Sequence, residues 1–132
     1  MARKLREKSP TGYYHIMTRG IDKQIIFEDN KDKENYLKFL KESKDLYDIK
    51  IVAYCLMLNH VHLIVYDKGG ELSRFMQSLN RKYAGYFNFK YDRIGPLFHD
   101  RYRSEIIKDE RQLTACYRYV MNNPYAAGIA KA

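Results

Sequence analysis

Two histidines separated by one residue could together hold a metal ion. His60 and His62 flank Val61 in a segment whose composition predicts a strand. Side chains at positions i and i+2 of a strand leave the same face, so the two imidazoles are expected to be neighbours. Such a pair can bind a divalent cation through two nitrogens and leave positions for a phosphate oxygen and water. Two surface histidines without a ligand are the alternative, and an isolated His-x-His motif is compatible with both.

A tyrosine and an asparagine on one predicted helix could join that pair. At about 100° per residue, the apolar residues of this helix form one stripe: Leu113, Cys116, Tyr117, Val120 and Met121. Tyr119 lies more than about 100° from the centre of the stripe, and Asn123, four residues later, stands on the same side. The phenol and the amide would therefore meet the histidines if the helix covers the histidine face. The alternatives are a surface tyrosine at the core edge and a turn-forming asparagine before Pro124.

Periodicity and turn residues predict the elements that must position these groups. Strands are expected at residues 13–19, 50–57, 60–66 and 97–107. Helices are expected from Asp29 or Asn30 to near Asp48, over residues 72–87, and from about Asp109 to Asn123. This order predicts an α+β fold, a ferredoxin-like sandwich with a mostly antiparallel sheet and helices on one face. The odd-numbered residues of the strand at 60–66 would face the helices, which leaves the histidine face open.

Length and charge narrow the class of protein. The 132 residues fit a single domain, with residues 1–12 as a basic N-terminal arm. Lys and Arg number 24 against 16 Asp and Glu, a net charge of +8, so nucleic acid is the expected partner. Two cysteines are too few for a disulfide scaffold, and no stretch approaches the ~18 apolar residues of a membrane span. A cytoplasmic protein that does not bind membranes is expected.

Most of the excess charge lies between residues 74 and 103. That segment carries seven Lys and Arg against two Asp, interleaved with aromatic residues. Cations and ring faces in this mixture suit phosphates and unstacked bases, although most of the rings are expected to fill the core. The predicted nucleic-acid contacts are Arg19, Arg74, Arg81, Lys82, Arg101 and Arg103.

The segment from Leu58 to Val65, LNHVHLIV, resembles the His-hydrophobic-His motif of single-tyrosine HUH transposases, specifically the REP-associated tyrosine transposase-like branch. Segments 15–20, 26–27, 78–83, 95–98, 101–102 and 119–128 agree with the family in the same order. Together they make the resemblance specific, and it spans roughly residues 10 to 129.

The resemblance implies an enzyme that cleaves and rejoins single-stranded DNA next to a folded hairpin. It implies that His60 and His62 bind a divalent cation, that Tyr119 is the nucleophile, and that Asn123 is a further polar metal ligand. The intermediate would be a covalent 5′-phosphotyrosine with a free 3′-hydroxyl that can later attack the link. Imidazole mixed with oxygen ligands suits Mg²⁺ or Mn²⁺. The protein would act as a monomer or a homodimer.

Two other functions are compatible with the same residues. A ferredoxin-like sheet with exposed aromatics can bind single-stranded RNA or DNA without catalysis, although the K/R-G-F/Y-G/A-F run of many such modules is absent. A metal-dependent phosphodiesterase would use a bound water in place of Tyr119. A covalent adduct between protein and DNA distinguishes the transposase from both.

Overall fold

The computed structural model of the chain describes residues 6–99 and 101–128. The elements in chain order are β1 (Tyr13–Arg19), a short 3-10 turn (Ile21–Lys23), α1 (Asn30–Tyr47), β2 (Lys50–Leu56), β3 (His60–Tyr66), α2 (Leu72–Lys90), β4 (Arg103–Ile106), α3 (Glu110–Met121) and β5 (Ala126–Gly128). The predicted α+β fold is confirmed. The short strand β5 was not expected from the sequence.

The five strands form one sheet in the order β4-β1-β3-β2-β5, and every neighbouring pair is antiparallel. The first four strands in this order are those of the ferredoxin-like sandwich that the sequence predicts. The histidine strand β3 is central, held by β1 on one side and β2 on the other. Its backbone is therefore fixed by two hydrogen-bonded neighbours.

The two faces of the sheet are covered differently. Helices α1 and α2 pack with Val61, Leu63 and Val65 in the larger core, as predicted. Helix α3 lies on the opposite face, where Val120 packs in a smaller core with Ile64 of β3. The expectation of helices on one face thus holds for α1 and α2, while α3 covers the histidine face.

Only part of the segment predicted as a strand at 97–107 pairs as one. Beyond β4, Phe98 forms a single bridge with Gly20, and the His99 N–H donates to Arg19 O (2.8 Å). Leu97 is buried in the core, so its apolar character reflects burial and not a continuous ladder. Gly20 permits the tight turn that follows β1, because a Cβ there would lie 2.4 Å from the Gln24 carbonyl oxygen.

A buried carboxylate ties α1 to α2. Asp32 is 0% exposed and accepts hydrogen bonds from the Glu28 N–H (2.9 Å), Tyr86 Oη (2.7 Å), Lys90 Nζ (2.8 Å) and Tyr91 Oη (2.6 Å). Burial raises its pKa, but the hydrogen bonds from Lys90, Tyr91 and Tyr86 outweigh burial and lower the pKa to about 2. The charged carboxylate therefore stabilises the helix pair that supports the sheet.

Asp32→Asn is expected to lower the free energy of unfolding by about 2 kcal/mol, because an amide cannot accept all four donors. The folded-state pKa lies below its ordinary value of 3.8. The difference between wild type and variant should therefore be complete above pH 4 and shrink as the pH falls toward 2. Urea unfolding at several pH values measures it. Asp45→Asn, an exposed position on the same helix, is the matched control and should leave the midpoint unchanged.

Candidate active site

The two histidines of β3 lie side by side on the face covered by α3. Their ring centroids are 5.1 Å apart, with the planes at 78°. His62 is 9% exposed, whereas His60 is half-buried at the beginning of the strand. The spacing of the two residues on one strand therefore produces the neighbouring imidazoles that the sequence predicts.

Each imidazole is held through its Nδ1 atom. His60 Nδ1–H donates to Asn59 Oδ1 (2.8 Å), and His62 Nδ1 shares a hydrogen bond with His15 Nε2 (3.0 Å). Within residues 6–99 and 101–128, the Nε2 atoms of His60 and His62 make no hydrogen bond. The nitrogens that remain available to a ligand are thus the two Nε2 atoms.

Two residues beside His62 were not predicted from the sequence. His15 is on β1, and its Nδ1 lies 3.1 Å from Glu105 Oε1 on the neighbouring strand β4. The sequence signal for His15 was its position in a predicted strand, between Tyr14 and Ile16, whose side chains leave the other face. Glu105 carried no such signal, because the sequence does not show which residues of the strand predicted at 97–107 lie opposite those of β1.

Helix α3 brings a phenol to the histidines. The Tyr119 ring centroid is 6.1 Å from that of His62 and 6.3 Å from that of His15, edge-on in both cases. The predicted stripe of α3 faces the sheet, with Val120 buried and its apolar neighbours partly buried. Tyr119 lies outside this stripe and is 66% exposed, so a polymer can reach its hydroxyl.

Tyr119 separates two clefts that both reach His62. The first, of about 450 Å³, lies between β1, β4 and α3 and is also lined by His15, Arg103, Glu105 and Gln112. The second, of about 320 Å³, lies at the end of α3 and is also lined by Met57, His60, Asn122 and Asn123. Tyr119 and His62 therefore border both clefts, whereas His60 borders only the second.

Asn123 lines the second cleft, but its amide is also used locally. Its Oδ1 accepts from the Tyr125 N–H (2.9 Å), and its Nδ2 lies 3.5 Å from Met57 Sδ. Asn123 thus takes part in the turn before β5 and also lines the cleft, and its role as a metal ligand stays a prediction. A carbonyl oxygen has a second lone pair, which stays available to a ligand.

A family model described as IS200-like transposase matches residues 8–123. The chain belongs to this family. It is therefore a transposase, an enzyme of DNA transposition, and the resemblance seen in the sequence is confirmed at the level of the family. No curated protein shows significant similarity to the chain.

Solved structures show the same fold. A REP-associated tyrosine transposase bound to a REP hairpin is 11% identical with a TM-score of 0.73, over 96% of this chain and 82% of the other. A Deinococcus radiodurans R1 protein assigned as a transposase is 16% identical with a TM-score of 0.59, over 92% of this chain and 97% of the other. Among the described residues of the transposase, no helix has the length and apolar character to cross a membrane.

The predicted DNA-contacting residues of the transposase fall into two groups. Arg19 is the cross-strand partner of His60, and Arg103 lines the first cleft. The others lie away from the histidines: Arg101 in a cleft between β4 and the beginning of α2, and Arg74, Arg81 and Lys82 on the exposed side of α2. Only the first group could contact a phosphate that lies at the histidines.

Burial favours the neutral form of both imidazoles by lowering their pKa. It lowers the pKa of His62 to about 4, with further contributions from nearby His15 and His60. Burial and the Arg19 charge also lower the pKa of His60. Neutral imidazole is the form that binds metal ions. In the described part of the chain no three His, Cys, Asp or Glu side chains form a metal cage, so an ion here would need oxygen ligands from Asn123, substrate or water.

Proposed function

We propose that this transposase cleaves and rejoins single-stranded DNA beside a hairpin through a 5′-phosphotyrosine at Tyr119. The observation that carries the proposal is the 6.1 Å separation of the Tyr119 and His62 rings within one chain. The structural neighbour described as bound to a REP hairpin supports DNA of that form as the partner. A monomer then holds every group that the chemistry needs, and a homodimer would hold two such sites.

The donor set fits a divalent cation. Among the described residues, the Nε2 atoms of His60 and His62 have no hydrogen-bond partner, and their Nδ1 atoms are anchored. Asn123 lines the same cleft and would complete the set with its oxygen. Imidazole with oxygen ligands and phosphate suits Mn²⁺ or Mg²⁺. When bound, the cation supplies Lewis-acid polarisation of the scissile phosphate.

The Tyr119 hydroxyl accounts for the transfer of the phosphoryl group from DNA to the protein. The Tyr119 oxygen attacks phosphorus and loses its proton to solvent, while the bond from phosphorus to the 3′-oxygen breaks and that oxygen takes up a proton. One phosphodiester replaces another, so rejoining by the 3′-hydroxyl needs no nucleotide cofactor. Because the phenol lies close to the imidazoles, a phosphate held at the histidines would be oriented toward the Tyr119 oxygen.

Arg19 and Arg103 would hold the phosphates next to the scissile one. Arg19 is opposite His60 at the end of β1, and Arg103 lines the cleft on the other side of Tyr119. A positive charge beside His60 and another in the first cleft suit a strand that crosses the site. Arg101 and the α2 residues Arg74, Arg81 and Lys82 would contact DNA farther from the cleavage position.

A covalent adduct tests the proposal. The full chain is incubated with Mn²⁺ and a labelled library of single-stranded oligonucleotides that carry one hairpin and randomised flanks. An adduct that survives denaturing electrophoresis, together with a released fragment ending in a 3′-hydroxyl, is expected. Cleavage without an adduct would support the water-dependent phosphodiesterase instead. Salt-sensitive binding of RNA or DNA without any cleavage would support a binding module.

A further inference from the structure

We propose that Glu105 and His15 are positioning residues that hold His62 with its proton on Nδ1 and its Nε2 facing the clefts. The arrangement runs across three strands, from β4 through β1 to β3. Nothing in the chemistry proposed above uses either residue. The inference rests on the proposed function, because it assigns them a role through the predicted metal ligand His62.

The hydrogen-bonding capacity of each group determines which atom donates in each of the two hydrogen bonds. An ionised carboxylate can only accept, so the bond of 3.1 Å to Glu105 Oε1 takes the proton on His15 Nδ1. When the His15 imidazole is neutral, its other nitrogen, Nε2, accepts, and this atom is 3.0 Å from His62 Nδ1. His62 Nδ1–H is therefore the donor, which leaves a lone pair on Nε2. The two rings are nearly parallel, at 15°, with centroids 5.2 Å apart.

The sheet register builds this contact. His15 and Glu105 are direct partners between β1 and β4, so their side chains leave the same face. His62 pairs with Met17 and is therefore diagonal to His15 across β1 and β3. Both strands have hydrogen-bonded neighbours on each side, which fixes the distance between the rings.

Burial makes the contact effective. The side chains of His15 and His62 are 13% and 9% exposed, so water competes little for the bond between them. Glu105 is 65% exposed at the edge strand, so its carboxylate stays in contact with water. His60 has an anchor of its own in Asn59. The two histidines of the motif are thus oriented independently of each other.

The tautomer of His62 determines whether its Nε2 can bind a metal ion. A neutral imidazole with its proton on Nε2 cannot donate a lone pair from that atom. Partners that fix the tautomer and ring orientation of a ligating histidine change metal affinity by about 10- to 100-fold when they are removed. Loss of His15 should therefore weaken Mn²⁺ binding by about that factor, even with His60 and His62 intact.

The first measurement uses the metal-free protein without DNA. Long-range ¹H–¹⁵N correlation spectra report which nitrogen of each histidine carries the proton. His62 is expected in the form with Nδ1 protonated. In His15→Phe, which keeps a ring between the strands, the Nε2-protonated form should increase. A wild-type His62 with its proton on Nε2 would overturn the inference whether or not any variant folds.

The second measurement is the Mn²⁺ dissociation constant, followed by electron paramagnetic resonance. His15→Phe should raise it about 10- to 100-fold. His15→Gln should restore most of the affinity, because its carbonyl oxygen can accept from His62 Nδ1–H. Unchanged affinity in His15→Phe, or no rescue by glutamine, contradicts the positioning role.

Neither readout involves DNA, so the two proposals fail separately. If the tautomer and affinity results hold and no adduct forms, the cleavage proposal fails and the positioning role stands. If an adduct forms while His15→Phe binds Mn²⁺ like wild type, only the positioning role is lost.

Discussion

Tyr119→Phe is expected to abolish the covalent adduct and to lower DNA cleavage at least about 10³-fold, because it removes the attacking oxygen and nothing else. The ring is 66% exposed and its edge-on contact with His62 does not depend on the hydroxyl. Stability and DNA affinity should therefore change little. Single-turnover cleavage of a labelled hairpin substrate measures the rate, and fluorescence anisotropy measures binding.

Tyr117→Phe is the matched control for this prediction. Tyr117 is on the same helix but packs in the smaller core, away from the histidines. Its loss of a hydroxyl should leave the cleavage rate within about a factor of three of wild type. Adduct formation that persists in Tyr119→Phe, or that disappears in Tyr117→Phe alone, is incompatible with the assigned nucleophile.

His60→Ala should lower cleavage about 10²-fold or more, since Lewis-acid stabilisation of the transition state contributes several kcal/mol. His60 is the better of the two motif positions to test. It is half-buried at the strand end, whereas His62 is almost fully buried and bonded to His15. Affinity for DNA should fall much less than the rate, because the proposed phosphate contacts of arginine and lysine side chains do not involve His60.

The control for His60→Ala is His99→Ala. His99 is exposed, and its N–H bond to the Arg19 carbonyl comes from the backbone and survives the substitution. Cleavage by this variant should resemble wild type. Should His60→Ala cleave at the wild-type rate, or lose affinity and rate in equal proportion, the histidine would have no separate role in the chemical step.

Local periodicity was sufficient for the elements that carry the site. Alternation placed His60 and His62 on one face of β3, where they lie with centroids 5.1 Å apart. Helical phase selected Tyr119 over Tyr117, and the structure has Tyr119 at the histidines and Tyr117 in the smaller core. Both rules depend only on backbone geometry within a single element. They therefore hold before any tertiary contact is known.

Features that depend on strand register were beyond the sequence. The contact between His15 and Glu105 exists because β1 and β4 pair with those residues opposite each other. Two separate segments must dock before this partnership is defined, and neither segment specifies the offset alone. The same holds for β5, which acquires its strand geometry by pairing with β2. The strand predicted at 97–107 is too long for a related reason. Leu97 is apolar because it is buried in the core and not because it belongs to a strand.

The most direct test of the central claim is to identify the residue that becomes linked to DNA. Wild-type protein is reacted with Mn²⁺ and the hairpin substrate, the bound DNA is trimmed with nuclease, and the nucleotide-bearing peptide is sequenced by tandem mass spectrometry. A phosphotyrosyl linkage on Tyr119 is predicted. A linkage on Tyr117, Tyr125 or any other side chain would contradict the account.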